Sequence, residues 1–261
     1  MCTTCGCGGT DGAGVPVTLA GEAPPHHHEH DHDHDHEHPH THDHPPTETV
    51  TLEQRVLAKN DMLAQQNREW LTARGIVALN ITSSPGAGKT TLLERTIRDL
   101  GRDHAVAVIE GDQETLLDAD RIRAAGARAV QVNTGAGCHL DASMVHRAID
   151  ALDPSPGSLL FIENVGNLVC PALFDLGEYQ KVVVISVTEG TDKPLKYPHM
   201  FAAAGLVILN KIDLLPYVNF DIETCCRYAR SVNPAVTILQ TSATRGDGLS
   251  AWYEWLGERI H

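Results

Sequence analysis

The stretch Ser83-Ser84-Pro85-Gly86-Ala87-Gly88-Lys89-Thr90-Thr91 has glycines, a lysine and hydroxyls at the spacing that cradles a phosphate chain. Backbone amides from Gly86, Ala87, Gly88 and Lys89 can surround a β-phosphate, and the N-terminus of a following helix, with Thr90 and Thr91 in its first turn, favours the charge. Lys89 would reach the β and γ phosphates, and Thr90 would ligate magnesium. Ser83 stands where the usual pattern has glycine. Farther along, Asn210-Lys211-Ile212-Asp213 directly follows an apolar run, so it also lies at a strand end. A carboxylate at Asp213 accepts from the two adjacent N–H groups of a guanine edge, which adenine does not offer. Ser242 and Ala243, at the end of another apolar run, complete the expected base pocket with Asn210 and Lys211. Two acidic strand ends remain, Glu110-Gly111-Asp112 and Glu163-Asn164-Val165-Gly166. Glu163 is assigned to magnesium, directly or from behind its ligands, Gly166 to γ-phosphate sensing, and Asp112 to magnesium or the attacking water. Acids at such positions also cap turns and helices, which is the competing reading. The set predicts GTP and GDP as ligands, magnesium as cofactor, and GTP hydrolysis with Lys89, Asp112, Glu163 and Gly166 at the reacting phosphate.

A second chemistry is that of metal ligands. His26, His27, His28, His30, His32, His34, His36, His38, His40, His42 and His44 make eleven of the nineteen residues from 26 to 44, spaced by Glu29, Asp31, Asp33, Asp35, Glu37 and Asp43. Imidazole suits Zn(II), Ni(II) and Cu(II), and the interleaved acids reduce repulsion and add oxygen ligands. An expression tag is the alternative source of such a run, but this one is internal and alternates with acids. It should bind several ions loosely and stay disordered until it does. Cys2, Cys5 and Cys7 place three thiolates around one ion, and the amine of Cys2, were Met1 removed, would make a mixed nitrogen and sulfur site suited to nickel. A redox pair is the competing reading, without the strand and helix that usually surround one. Cys138, His139 and Cys170 could share an ion if their segments lie at neighbouring strand ends, or one pair could complete a site with a second subunit. A buried cysteine acting as a small hydrophobe is the alternative. Cys225 and Cys226 read as packing, and His104, His146 and His199 as structural or surface residues.

These groups need elements to hold them. Apolar runs at Ile76–Ile81, Ala105–Ile109, Ala129–Val132, Leu159–Ile162, Val182–Val187, Leu206–Leu209 and Val236–Leu239 alternate with segments of helical pattern such as Thr90–Leu100, Asp141–Leu152 and Asp221–Val232. Near-continuous apolar strands separated by helices predict an α/β fold, a mostly parallel sheet flanked by helices, with its ligand site at the carboxyl ends of the strands. A first helix is expected from Thr51 to Gly75, opened by Thr51 and Gln54 as a capping pair and burying Leu52, Val56, Leu57, Met62, Leu63 and Trp70. The 261 residues divide into a cysteine motif at 1–7, a histidine-rich linker at 8–50 and a nucleotide-binding domain at 51–261. No lysine or arginine precedes Arg55, and the net charge of −14 argues against nucleic acid or an anionic membrane as partner. Without a long apolar stretch or a leader the chain reads as cytoplasmic, where its cysteines are thiols.

The segments quoted so far, with Met1-Cys2-Thr3-Thr4-Cys5-Gly6-Cys7, Gly137-Cys138-His139-Leu140-Asp141, Glu163 through Cys170-Pro171, and Asp192-Lys193-Pro194-Leu195-Lys196-Tyr197-Pro198, resemble the HypB family. These are the nickel-inserting GTPases of NiFe-hydrogenase maturation, SIMIBI-type members of the P-loop NTPases. General GTPases share the nucleotide motifs but not the cysteine segments. The resemblance implies a GTP-dependent homodimer with nickel or zinc held near its interface by Cys138, His139 and Cys170. It also implies a high-affinity nickel site at Cys2, Cys5 and Cys7, and Lys193 approaching a neighbouring nucleotide across the dimer. A HypA-type metallochaperone and the hydrogenase large-subunit precursor are the implied partners. The joint presence of cysteine motif and histidine tract points to both storage and delivery of nickel. A urease accessory GTPase is expected to carry Cys-Pro-His, whereas Cys170-Pro171 is followed here by Ala172. A storage protein with a secondary GTPase explains the tail but not ligands beside the γ-phosphate segments.

Overall fold

The computed structural model describes residues 48–112, 117–135 and 137–260, so Cys2, Cys5, Cys7 and the histidine tract lie outside the described residues. Each apolar run becomes a strand: β1 (Val77–Ser83), β2 (Val106–Asp112), β3 (Arg128–Asn133), β4 (Leu159–Glu163), β5 (Gln180–Ser186), β6 (Ala204–Asn210) and β7 (Thr237–Gln240). They pair in the order β3-β2-β4-β1-β5-β6-β7, every pairing parallel. β1 is therefore the central strand, with all residues from Ala78 to Ser83 buried. Its alternate residues go to opposite faces: Leu79 and Ile81 pack on one side, Ala78 on the other.

The helices are α1 (Glu48–Ala73), α2 (Lys89–Leu100), α3 (Leu117–Ala124), α4 (Ala142–Leu152), α5 (Lys193–Lys196), α6 (Pro198–Ala203), α7 (Ile222–Val232) and α8 (Leu249–Gly257). On one face Leu92, Leu93 and Ile97 of α2 and Trp252, Trp255 and Leu256 of α8 close over Leu79, Ile81 and Phe161. On the other, Val145 and Ile149 of α4 and Leu71 of α1 cover Ile109, Leu160 and Ile162, while α6 and α7 cover β5 and β6. Asp141 and Asp221 start α4 and α7 by accepting the amides of Met144 and Thr224. Each such cap is worth about 1 kcal/mol.

The first helix differs from its sequence-based reading in two ways. It already runs at Glu48, so Thr51 and Gln54 lie inside it and do not open it. Its buried stripe is Asn60, Ala64, Asn67 and Leu71, whereas Met62 is 64% exposed. The asparagines face inward because backbone groups wait there: Asn60 donates to the Asp175 carbonyl and accepts from the Ala142 amide, and Asn67 donates to the carbonyls of Ala142 and Leu176. His146, on α4, completes this set through Nδ1 against Asn67 Oδ1. No helix among the described residues is long and apolar enough to cross a membrane.

Candidate nucleotide and metal sites

The carboxyl end of β1 feeds the phosphate loop, and the loop turns into α2 at Lys89. Gly86 and Gly88 take left-handed backbone angles, φ +73° and +100°. A Cβ at Gly88 would fall 2.5 Å from Asn210 Nδ2, so only glycine allows the phosphate loop to lie against the base motif. Lys89 Nζ donates to Ser83 Oγ at 2.9 Å, which gives the unexpected serine a place in holding the lysine. Thr90 Oγ1 donates to Glu163 Oε1 at 2.7 Å, joining the two expected magnesium-facing residues.

β2 and β4 are neighbours, and their register sets Glu110 directly beside Glu163. Both side chains are buried, and Oε2 of each lacks a hydrogen-bond partner among the described residues. Burial, then the facing Glu163, raises the Glu110 carboxyl well above the usual range; burial likewise raises Glu163, against the pull of Lys89. A threonine hydroxyl with two orphaned carboxylate oxygens is a hard oxygen set that fits magnesium. These residues line a cleft of about 500 Å³ together with Lys89, Asp112, Gly166, Asp118 and Arg121. Gly166 lies flat on the loop, since a Cβ there would meet Pro85 at 3.0 Å. Glu110, Asp118 and Arg121 were not expected from the sequence. For Glu110 a signal existed, since it ends its apolar run as Glu163 ends the next strand's. Asp118 and Arg121 reach the cleft from α3, joined to each other at 2.9 Å.

The base motif is built from three loops. Asn210 bridges them: its Nδ2 donates to the Ala87 carbonyl, and its Oδ1 accepts from the Ala243 amide and the Thr241 hydroxyl. Lys211, at φ +63°, extends Nζ to the Gly86 carbonyl at 2.7 Å. Ser242 Oγ donates to Asp213 Oδ1 at 2.6 Å, fixing one carboxylate oxygen and aiming the group. Lys193 sits on the phosphate loop of its own chain, donating to Ser84 Oγ at 2.8 Å and to Glu189 at 2.7 Å.

The third constellation lies two strand ends away. Cys138 and His139 come from the loop between β3 and α4, and Cys170 from a 3-10 turn, Cys170–Ala172, after β4. One ligand atom from each lies within 4.8 Å of the others, with the two sulfurs 2.9 Å apart. The His139 ring packs 4.0 Å from Phe174, and burial lowers its pKa, partly opposed by Asp141, so the neutral, ligating form is favoured. Two sulfurs and an imidazole are a soft donor set that suits nickel or zinc over magnesium. Cys225 packs into the core from α7, where burial pushes its thiol up to about 12; Cys226 is partly buried beside it.

A parallel sheet whose central strand ends in a phosphate loop, with a base motif two strands away, defines a P-loop nucleotide-binding protein. Residues 77–240 match the model of the CobW/HypB/UreG nucleotide-binding domain. The hydrogenase maturation factor HypB of Azotobacter chroococcum mcd 1 is 59% identical over 207 residues, covering 79% of this chain and 68% of that relative. The crystal structure of HypB from Archaeoglobus fulgidus superposes with a TM-score of 0.73 at 41% identity, over 78% of this chain and all of that one. HypB from Helicobacter pylori, solved in complex with nickel, matches equally, with a TM-score of 0.73 and 41% identity over 77% of this chain and 95% of that one. The chain belongs to the HypB family of hydrogenase maturation factors.

Proposed function

We propose that the chain is a GTP-hydrolysing nickel metallochaperone that stores nickel and delivers it to the hydrogenase large-subunit precursor. The observation that carries this reading is that the soft ligand triad Cys138, His139 and Cys170 lies beside the γ-phosphate segment, with only the stretch from Glu163 to Cys170 between them. Lys89 and the amides from Gly86 to Thr91 hold the phosphates, Asp213, aimed by Ser242, selects guanine, and Asn210, Lys211 and Ala243 frame the base. Thr90, Glu163 and Asp112 would hold magnesium, joined by Glu110, which lines the same cleft and has an unpartnered buried oxygen. Magnesium held there would supply positive charge against the phosphates, and Asp112 would orient the water that attacks the γ-phosphorus as the bond to the β–γ bridging oxygen breaks.

GTP draws Glu163–Gly166 onto the γ-phosphate, and the chain from there to Cys170 carries the change to the metal ligands. Hydrolysis then releases nickel to its acceptor. Two copies meet in the GTP state with the triad near their interface, where zinc is the competing ion. Cys2, Cys5 and Cys7 (residues 1–7) hold nickel tightly and the histidine linker (8–50) keeps a reserve, both upstream of the GTPase domain (51–261). A HypA-type metallochaperone and the large-subunit precursor are the partners, met in the cytoplasm. The test is nickel affinity and the rate of nickel transfer to a purified precursor, measured with GDP and with a nonhydrolysable GTP analogue. The proposal expects both to differ between the two nucleotides, and equal values would sink it.

A further inference from the structure

Asn164 stands between the expected magnesium acid Glu163 and the γ-phosphate glycine Gly166 and lines the same cleft, yet its side-chain atoms are committed to partners within the protein. It is 1% exposed and fully engaged. Nδ2 donates to Asn80 Oδ1 at 3.2 Å, and Asn80 in turn donates to Glu178 Oε1, which pairs with the buried Lys181 at 2.6 Å. The side chain is thus anchored from behind by a buried polar chain reaching under β1, β4 and β5. Its Oδ1 faces forward and accepts two backbone amides, Val165 at 3.0 Å and Leu140 at 3.1 Å. One of these amides belongs to the γ-phosphate segment. The other directly follows the metal ligand His139.

Leu140 has a second hold on the nucleotide site. Its side chain is fully buried and fills the space over Gly111, where an added Cβ would fall 2.8 Å from it. Gly111 lies between Glu110 and Asp112, so Leu140 touches both acidic strand ends, one through Asn164 and one through Gly111. Farther along, Asn167 donates to the Cys138 carbonyl at 3.2 Å and ties the same two loops again.

We propose that Asn164 is the positioning residue through which the nucleotide and the metal ion at Cys138, His139 and Cys170 sense each other. The inference rests on the preceding reading that GTP and nickel bind these two sites. A buried amide oxygen shared by two N–H groups cannot follow one without loosening its hold on the other, because an unpaired buried donor is costly. When Val165 and Gly166 are drawn to the γ-phosphate, Leu140 and the adjacent His139 are repositioned. Linkage makes the effect reciprocal, so bound nickel changes nucleotide affinity by the same factor.

The experiment measures the affinity of the full chain for a nonhydrolysable GTP analogue with and without Ni(II), in the unaltered protein, Cys138→Ala and Asn164→Ala. The ratio of the two affinities is expected to be on the order of five or more in the unaltered protein. It should collapse toward one in both variants: in Cys138→Ala because the metal site is broken, in Asn164→Ala because the relay is. If the unaltered protein couples and Asn164→Ala couples equally, Asn164 is not the relay, and the functional reading survives. If the unaltered protein shows no coupling, the functional reading fails and takes this inference with it. Should Asn164→Ala not fold, amide hydrogen exchange in the unaltered protein decides. On adding the analogue, the Leu140 and Val165 amides should change protection together, and a change at Val165 alone overturns the proposal.

Discussion

At the scale of single residues, the sequence exposes what is local and hides what depends on register. The phosphate loop and Asn210–Asp213 are legible because each motif is contiguous and its chemistry follows from its own spacing. Glu110 is legible as an acid at a strand end but not as the neighbour of Glu163, which only the parallel pairing sets beside it. Asn210 has a part that its own spacing does not announce: it joins the phosphate loop at Ala87 to the loop at Ala243. Asp213 has one carboxylate oxygen held by Ser242. Replacing its carboxylate by an amide turns an acceptor toward the guanine N–H groups into a donor. Asp213→Asn should therefore weaken GTP binding on the order of 10²-fold or more and favour xanthosine triphosphate, whose 2-oxo group accepts the new N–H. Competition binding of the two nucleotides checks this, and an unchanged preference for GTP would remove Asp213 from the base pocket.

The elements were legible to the extent that hydrophobic pattern dictates them. Seven apolar runs yielded the seven strands, most plainly for β1, β2, β4, β5 and β6, which are buried almost throughout and have no reason to alternate, whereas the edge strands β3 and β7 are only partly buried. The buried face of α1 was hidden, because its inward residues are chosen by backbone groups from far along the chain. Asn67 reaches Ala142, 75 residues on, and Leu176, 109 residues on. No apolar periodicity announces such a contact. Asn67→Ala removes the donors to two buried carbonyls and the partner of His146, and should cost about 2–4 kcal/mol at one to two per orphaned group. The midpoint of urea unfolding reads this out. A loss below about 0.5 kcal/mol would mean that water replaces the amide and that α1 is held by Ala64 and Leu71 instead.

For the whole molecule, the strand order matters more than any one strand. Because β2 lies between β3 and β4, loops from β3 and β4 must meet over its end, and this brings Cys138 and His139 to Cys170 and both to the nucleotide cleft. Sequence spacing alone left that meeting conditional. The resulting surface has Val169 and Leu173, each 54% exposed, on either side of buried Cys170. If the GTP state brings two copies together here, a charge at this position must be buried against its own copy. Val169→Asp should then abolish dimer formation with the GTP analogue while leaving the monomer intact, as sedimentation velocity would show. Dimerisation undiminished by the substitution would move the interface elsewhere.

The same meeting of loops has a consequence for the empty carrier. Two sulfurs 2.9 Å apart are poised for an oxidant that removes two electrons and two protons, joining them as a cystine and closing the site to cargo. A metal ion between them draws on the same sulfur lone pairs and so denies them to the oxidant. Thiol titration after exposure to air should therefore show Cys138 and Cys170 lost faster from the metal-free chain than from the nickel-loaded one.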